Sequence, residues 1–334
     1  MTSPTVPSGL DRLPPSIAAR LTVPLLVAPM LRVSGPELVA AACRAGAIGA
    51  FPAPNARTPS GLDAWLGRLD EELARSGGTA APYCVNLVMQ DHARWRDHLA
   101  CLADHHVELV VTSVGSPLPA LPALHDAGTL VFSDVATLAH ARKAVAAGVD
   151  GLVLLTAGAG GQTGWLNPFA FVRAVREFFD GPVLLAGGIS DGVALHAAVA
   201  LGADLGSMGT RFVAATESMA SDHYRTMLAA SDIDDVQLTR AFTGLPTSFL
   251  RPAIVAAGLD PDALDEQVTP EIADAVYGGR STSSAPKRWS QVYSAGHTVG
   301  AVTGARSAAE IVAEVAREYR AAAGVAGAVV AARA

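Results

Sequence analysis

Two glycine turns lie one helix apart in this chain of 334 residues: Gly181-Pro-Val-Leu-Leu-Ala-Gly-Gly-Ile189 and Gly206-Ser-Met-Gly-Thr-Arg-Phe212. Each reads as the end of a parallel strand that turns on glycine. Such a turn leaves backbone N–H groups unpaired, and the missing side chain lets an anion approach them. Gly187, Gly188, Ser207, Met208, Gly209 and Thr210 are therefore candidates to hold a phosphate. If the chain closes eight βα units into a barrel, the loops after its seventh and eighth strands are the usual place for one.

The residues that are missing narrow the chemistry further. Only two lysines occur, Lys143 in a helical pattern and Lys287 late in the chain, so no strand end offers an amine for a Schiff base. A catalytic metal in a barrel needs several His, Asp or Glu side chains at strand ends. Only Asp134 stands in such a place, and its position beside a helix start reads better as an N-cap for the helix from Ala136. No metal site is expected. The strand ends otherwise carry Met30, Asn86, Ser113, Thr156 and glycines, a lining suited to a large flat cofactor that the protein need only position. Flavin mononucleotide (FMN), one phosphate joined to a ring system, fits that lining. Met30 is either a flavin contact or an ordinary plug of the barrel, and Asn86 either a flavin partner or a group satisfying loop backbone.

Positioning those residues takes an α/β fold, a (β/α)8 barrel. Short Val/Leu/Ile-rich runs alternate with longer helical patterns, as repeated βα units do. Eight strands are expected: Leu25 to Pro29, Ala47 to Phe51, Tyr83 to Val88, Leu109 to Val114, Leu130 to Ser133, Gly151 to Thr156, Val183 to Ala186 and Leu205 to Met208. Helices are signalled over Gly35 to Arg44, Ala136 to Ala147 and Asp191 to Leu201. The phrase Ala147-Gly-Val-Asp150 recurs in form as Leu201-Gly-Ala-Asp204, a glycine ending a helix just before a strand. The expected division is a barrel over residues 16–215, a helical cap over its mouth at 216–300, and a closing helix within 301–325.

Composition agrees with such a domain. Half of the residues are hydrophobic, enough for a large core. The net charge of −7 and the lack of a basic run give no reason to expect nucleic acid or an anionic membrane as partner. Cys43, Cys84 and Cys101 follow no disulfide or metal spacing. No signal-type segment opens the chain and no apolar run reaches the ~20 residues of a membrane span. The expectation is a soluble cytoplasmic protein acting on a small molecule, with oligomerisation left open.

Seven motifs then occur in the order Val27-Ala-Pro-Met30, Val85-Asn-Leu87, Thr112-Ser-Val-Gly115, Ala157-Gly-Ala-Gly-Gly-Gln-Thr-Gly164, Leu185-Ala-Gly-Gly-Ile189, Met208-Gly-Thr-Arg-Phe212 and Ser294-Ala-Gly-His297. In this order they resemble the nitronate monooxygenase family, once called 2-nitropropane dioxygenases, from about Leu25 to Tyr319. The resemblance implies an FMN-dependent barrel that oxidises alkyl nitronates with O2. It also implies Asn86 on the flavin ring, Gly160 along the ring's approach, and Gly188, Ser207, Met208, Gly209 and Thr210 on the phosphate. Relatives of the same shape include NAD(P)H-dependent quinone reductases and enoyl reductases, so reduction of a quinone, enone or enoyl thioester is the second expectation. A flavin- or phosphosugar-binding barrel without redox turnover is the third.

One departure from the family pattern bears on catalysis. Where many members read Ala-Gly-Gly-His, with the histidine as base or donor, this chain has Gln162, which cannot take a proton near neutral pH. Where relatives commonly have Ala-Gly-Gln, it has His297. The two are the catalytic candidates: Gln162 to orient an already anionic nitronate, or His297 as a replacement acid/base. The other histidines, His92 among them, fall in predicted helices or their edges.

Overall fold

In the computed structural model, which describes residues 10–90, 94–279 and 281–331, the apolar runs close into a parallel barrel. The segment before Leu10 and His92 lie outside the described residues. The chain's strands are β1 (Leu25–Val27), β2 (Ile48–Pro52), β3 (Tyr83–Val88), β4 (Leu109–Ser113), β5 (Leu130–Val135), β6 (Gly151–Leu155), β7 (Gly161–Gln162), β8 (Val183–Ala186), β9 (Leu205–Met208), β10 (Val236–Thr239) and β11 (Thr247–Leu250). The barrel runs β1-β2-β3-β4-β5-β6-β8-β9, and β9 returns to β1 through Leu26↔Ser207 and Val27↔Met208. Each expected run overlaps one of these eight strands, β2 and β5 running one and two residues further than expected. Runs of this kind are legible because a barrel strand is covered on both faces and so carries apolar residues almost continuously.

Strand alternation sorts the side chains. Leu26, Ile48, Cys84, Val111, Phe132, Val153, Leu184 and Leu205 fill the barrel, and Leu13 and Ile17 pack against this set from the segment that precedes β1. Val27, Phe51, Val85, Val110, Leu152, Leu185 and Met208 face the other way, into the layer shared with the helices. Asp134 belongs to β5. The helix Leu138–Ala147 is capped instead by Thr137, whose hydroxyl accepts from His140 N at 3.1 Å. The expected N-cap role of Asp134 is therefore corrected: β5 runs two residues further than Ser133 and turns the carboxyl inward.

Beyond Phe212 the expectation of a helical cap needs a second correction. Helices Asp222–Ala229, Arg251–Ala256 and Pro270–Tyr277 are present, but β10 and β11 pair antiparallel and β11 adds β7 through Thr247↔Gln162 and Ser248↔Gly161. The three-stranded sheet thus takes one strand from the loop that leaves β6. The long helix Ala308–Ala331 returns to the barrel and packs on Gly192–Leu201. Gly192 permits this, since an added Cβ would stand 2.2 Å from Tyr319 N, and its own N–H donates to Glu318 at 2.9 Å.

Candidate active site

A cavity of about 680 Å3 opens at the C-terminal ends of the barrel strands, under the small sheet. Its size suits a cofactor and a small substrate. Leu26, Val111, Val153 and Leu184 contribute its apolar floor, with Asn86, Ser113, Asp134 and Ser207 set among them. Gln162, Thr243, Leu245, Arg288 and Trp289 contribute the opposing wall.

The two glycine turns meet along one side. Gly187 and Gly188 have φ of 124° and 75°, backbone that other residues rarely adopt. An added Cβ at Gly187 would stand 2.4 Å from Thr156 Oγ1, whereas at Gly188 it would meet nothing within 4 Å. The empty side of Gly188 is thus room for a ligand. Gly187, Gly188, Ser207, Gly209 and Thr210 all line the cavity. Among the described residues, none accepts a hydrogen bond from the N–H groups of Gly187, Gly188, Gly209 or Thr210. Arg211 turns away, to Ser190 O at 3.1 Å and Glu314 at 2.6 Å. An anion here would be held by backbone N–H groups and not by a guanidinium. Met208, expected in this set, is buried in the helix-facing layer and does not line the cavity. The period-two alternation that exposes Ser207 directs its neighbour outward.

Asn86 lines the floor and is firmly placed: Nδ2 donates to Val111 O and to Ser113 Oγ, each at 3.0 Å. With both donor hydrogens used, Oδ1 is the atom left for a ligand. Met30 borders the cavity beside Gly209, where an added Cβ would lie 3.4 Å from its sulfur. Gly160 also lines the cavity, but its missing side chain faces Gly296 N, 2.8 Å from an added Cβ. Glycine is needed there for two loops to press together.

Gln162 and His297 are not equivalent. Gln162 lines the cavity from β7, and no described group bonds to its amide. The strand is held by Ser294, whose hydroxyl accepts from Gly161 N at 2.7 Å and donates to Ser248 O at 2.6 Å. His297 is exposed, packs on the outer side of the Gly158 turn and is absent from the cavity lining. Its backbone N–H donates to Gly158 O at 2.9 Å, while Gly296 N donates to Thr210 Oγ1 at 3.0 Å. The motif Ser294-Ala-Gly-His297 therefore braces the loop after β6 against the end of β9, and the imidazole is turned away from the cavity.

Asp134, which the spacing suggested as an N-cap, lines the cavity floor instead. No described group hydrogen-bonds to its carboxyl, and burial alone pushes it up to about 7. Val114, which follows β4, holds φ of 51° at the cavity edge, a strained conformation for a β-branched residue. Away from the cavity, Asp63, Cys101 and His105 bring ligand atoms within 4.8 Å of one another, although His105 is already bonded to Asp70 at 2.6 Å and Asp63 at 3.0 Å.

Residues 69–318 match the family model for nitronate monooxygenase. The chain belongs to the nitronate monooxygenase family. A nitronate monooxygenase of Paraburkholderia phytofirmans is 30% identical over 318 residues, covering 83% of this chain and 86% of that one. A crystal structure of nitroalkane oxidase from Streptomyces ansochromogenes superimposes with a TM-score of 0.76 at 26% identity, over 93% of this chain and 99% of that one. FabK from Thermotoga maritima does so with a TM-score of 0.73 at 26% identity, over 91% and 94%. The chain is accordingly an oxidoreductase of a flavoprotein family. No helix among the described residues is long and apolar enough to cross a membrane.

Proposed function

We propose that the cavity binds FMN and that the enzyme oxidises preformed alkyl nitronates with O2. The fit rests on the cradle: four unpaired N–H groups and the open side of Gly188 suit one phosphate. Asn86 Oδ1 and Met30 would hold the ring, and Ser207 adds a hydroxyl to the cradle. When bound, FMN supplies the electron-accepting ring. The chain 216–300 would serve as the cap that keeps water from it.

One observation carries the choice of substrate. At the position where many relatives carry a histidine, the cavity receives the free amide of Gln162, and the imidazole of His297 is off the cavity. A neutral nitroalkane needs a base to remove its α-proton, but a nitronate is already an anion and needs only donors to orient it. Gln162 offers two. A second reading, reduction of a quinone, enone or enoyl thioester by NAD(P)H, draws support from the reach of the cavity to Arg288 and Trp289, a wall that a small nitronate leaves unfilled. Mixing the flavin-loaded protein anaerobically with a small nitronate, NADH and NADPH in turn separates the two. Bleaching by the nitronate supports the first, and bleaching by a nicotinamide alone replaces it with the second. Heat-released flavin should be FMN; release of FAD overturns the cofactor assignment.

A further inference from the structure

Asp134 stands where a carboxyl is least expected, on a floor made of Leu26, Val111, Val153 and Leu184. The strand beside it on one side turns Val111 and Ser113 to the cavity, and the strand on the other turns Val153 and Leu155. Neither supplies a cation or a backbone donor. Inside the barrel the titratable neighbour is the Cys84 thiol of β3, fully buried, kept neutral by that burial and pushed further up by the Asp134 charge. The charged residues at the cavity are Glu271, Asp274 and Arg288, all in the cap, and Arg288 is bonded to Asp274 at 2.6 Å. Tyr224, also at the cavity, donates its hydroxyl proton to Ser294 O. No described residue compensates a negative charge on Asp134.

A carboxyl placed this way has two states with opposite consequences for a ligand that covers the floor. Protonated, it offers one O–H donor to a ring or ribityl acceptor. Ionised, it can only accept, and the ligand would strip its water without replacing it. We propose that Asp134 is a flavin contact that works only while it carries its proton, so that flavin loading is linked to pH and weakens above neutrality. The inference rests on the flavin reading above and adds a residue and a control to it. The free protein holds the proton up to about pH 7. Covering the floor raises that limit further, so affinity should fall about tenfold per pH unit above it.

The experiment titrates flavin-free protein with FMN, and separately with riboflavin, from pH 6 to 9, following quenching of flavin fluorescence. The second ionisation of a phosphate lies near pH ~6. Any loss of FMN affinity between pH 7.5 and 9 therefore belongs to the protein. For the wild type that loss should be roughly 20-fold for both ligands. Asp134→Asn, which keeps a donor and cannot ionise, should bind both with a flat profile and match the wild type at pH 6. The wild-type profile decides even if this variant does not fold. A wild-type affinity for FMN and riboflavin that stays level from pH 7.5 to 9 overturns the proposal and leaves the flavin reading standing. No binding of either ligand at any pH removes both.

Discussion

Below the cavity, Asn86, Asp134, Ala186 and Ser207 sit near the ends of strands in one closed barrel, whose strands are each paired with two neighbours. Above it, Gln162 comes from a two-residue strand, and Arg288 and Trp289 from a loop held by a few backbone bonds and the Arg288–Asp274 pair. That upper layer has a small core of its own. Phe242 meets Phe249 at 4.9 Å and Tyr277 at 5.0 Å, and Trp289 stacks on Phe249 at 5.3 Å. The floor is thus a rigid frame suited to a cofactor that must always sit in one place. The roof has an aromatic core of its own, and substrate selection is expected there.

The largest effect should come from the frame. Gly188→Val puts a branched side chain at a φ of 75° and into the space left for the phosphate. Loss of one or two charge-assisted hydrogen bonds, about 1.5 to 3 kcal/mol each, weakens FMN binding by roughly ten- to more than a thousandfold. Far-UV circular dichroism should still show a folded barrel, with Tm lowered by the strain of a branched residue at that φ, because an added Cβ meets no neighbour within 4 Å. Unaltered FMN affinity in a folded variant would place the phosphate elsewhere and dissolve the distinction between floor and roof.

The floor also carries a cost in stability. A carboxyl raised from its ordinary range to about 7 binds its proton more tightly in the folded than in the unfolded chain. The flavin-free protein therefore loses stability as pH rises from about 4 to 7, and no more beyond. Asp134→Asn should remove that loss: the variant is the more stable protein at pH 8, by about 2 kcal/mol or more, and the gap should close toward pH 4. Urea melts at the two pH values measure it. An equal gap at both would mean that the gain comes from packing and not from ionisation.

The same contrast explains what could be read from residues alone. All eight barrel strands were legible because each is a short apolar run bounded by glycine or by a helix pattern, information local to a few residues. The small sheet was not, since β7 owes its conformation to Thr247 and Ser248, more than eighty residues away, and a Gly-Gln pair has no strand signal of its own. Alternation of Val-Gln-Leu-Thr and Thr-Ser-Phe-Leu around the Gly244-Leu-Pro turn was the one available hint for β10 and β11. Asp134 resembled an N-cap because a capping aspartate and a strand-end aspartate look alike just ahead of a helix pattern; the cap signal belonged to Thr137. Met208 and His297 show a further limit, because a motif marks a segment and not which of its side chains faces the ligand.

In the roof, Gln162→Ala removes a free amide and leaves its backbone pairing with Thr247 intact. It should lower kcat/KM for a small nitronate by about 10- to 100-fold while flavin content stays at the wild-type level. A fall in flavin content of the same size would mean that this residue belongs with the frame.

His297→Ala should do least. The imidazole is exposed and off the cavity, and exposed substitutions usually change stability by no more than about 0.5 kcal/mol, so activity should stay within roughly twofold of wild type. The informative measurement is the pH profile. A histidine base would impose a limb near neutrality that vanishes with its side chain. Asp134, already raised to about 7 in the flavin-free chain, is pushed higher when the flavin covers it, so a limb above neutrality does not by itself identify a histidine. If the limb persists in His297→Ala and disappears in Asp134→Asn, the group that titrates lies beneath the flavin. If it disappears in His297→Ala alone, along with a hundredfold or greater loss of turnover, the loop carrying His297 must rearrange to bring the imidazole over the cavity, and the roof becomes the seat of acid–base chemistry as well as of substrate selection.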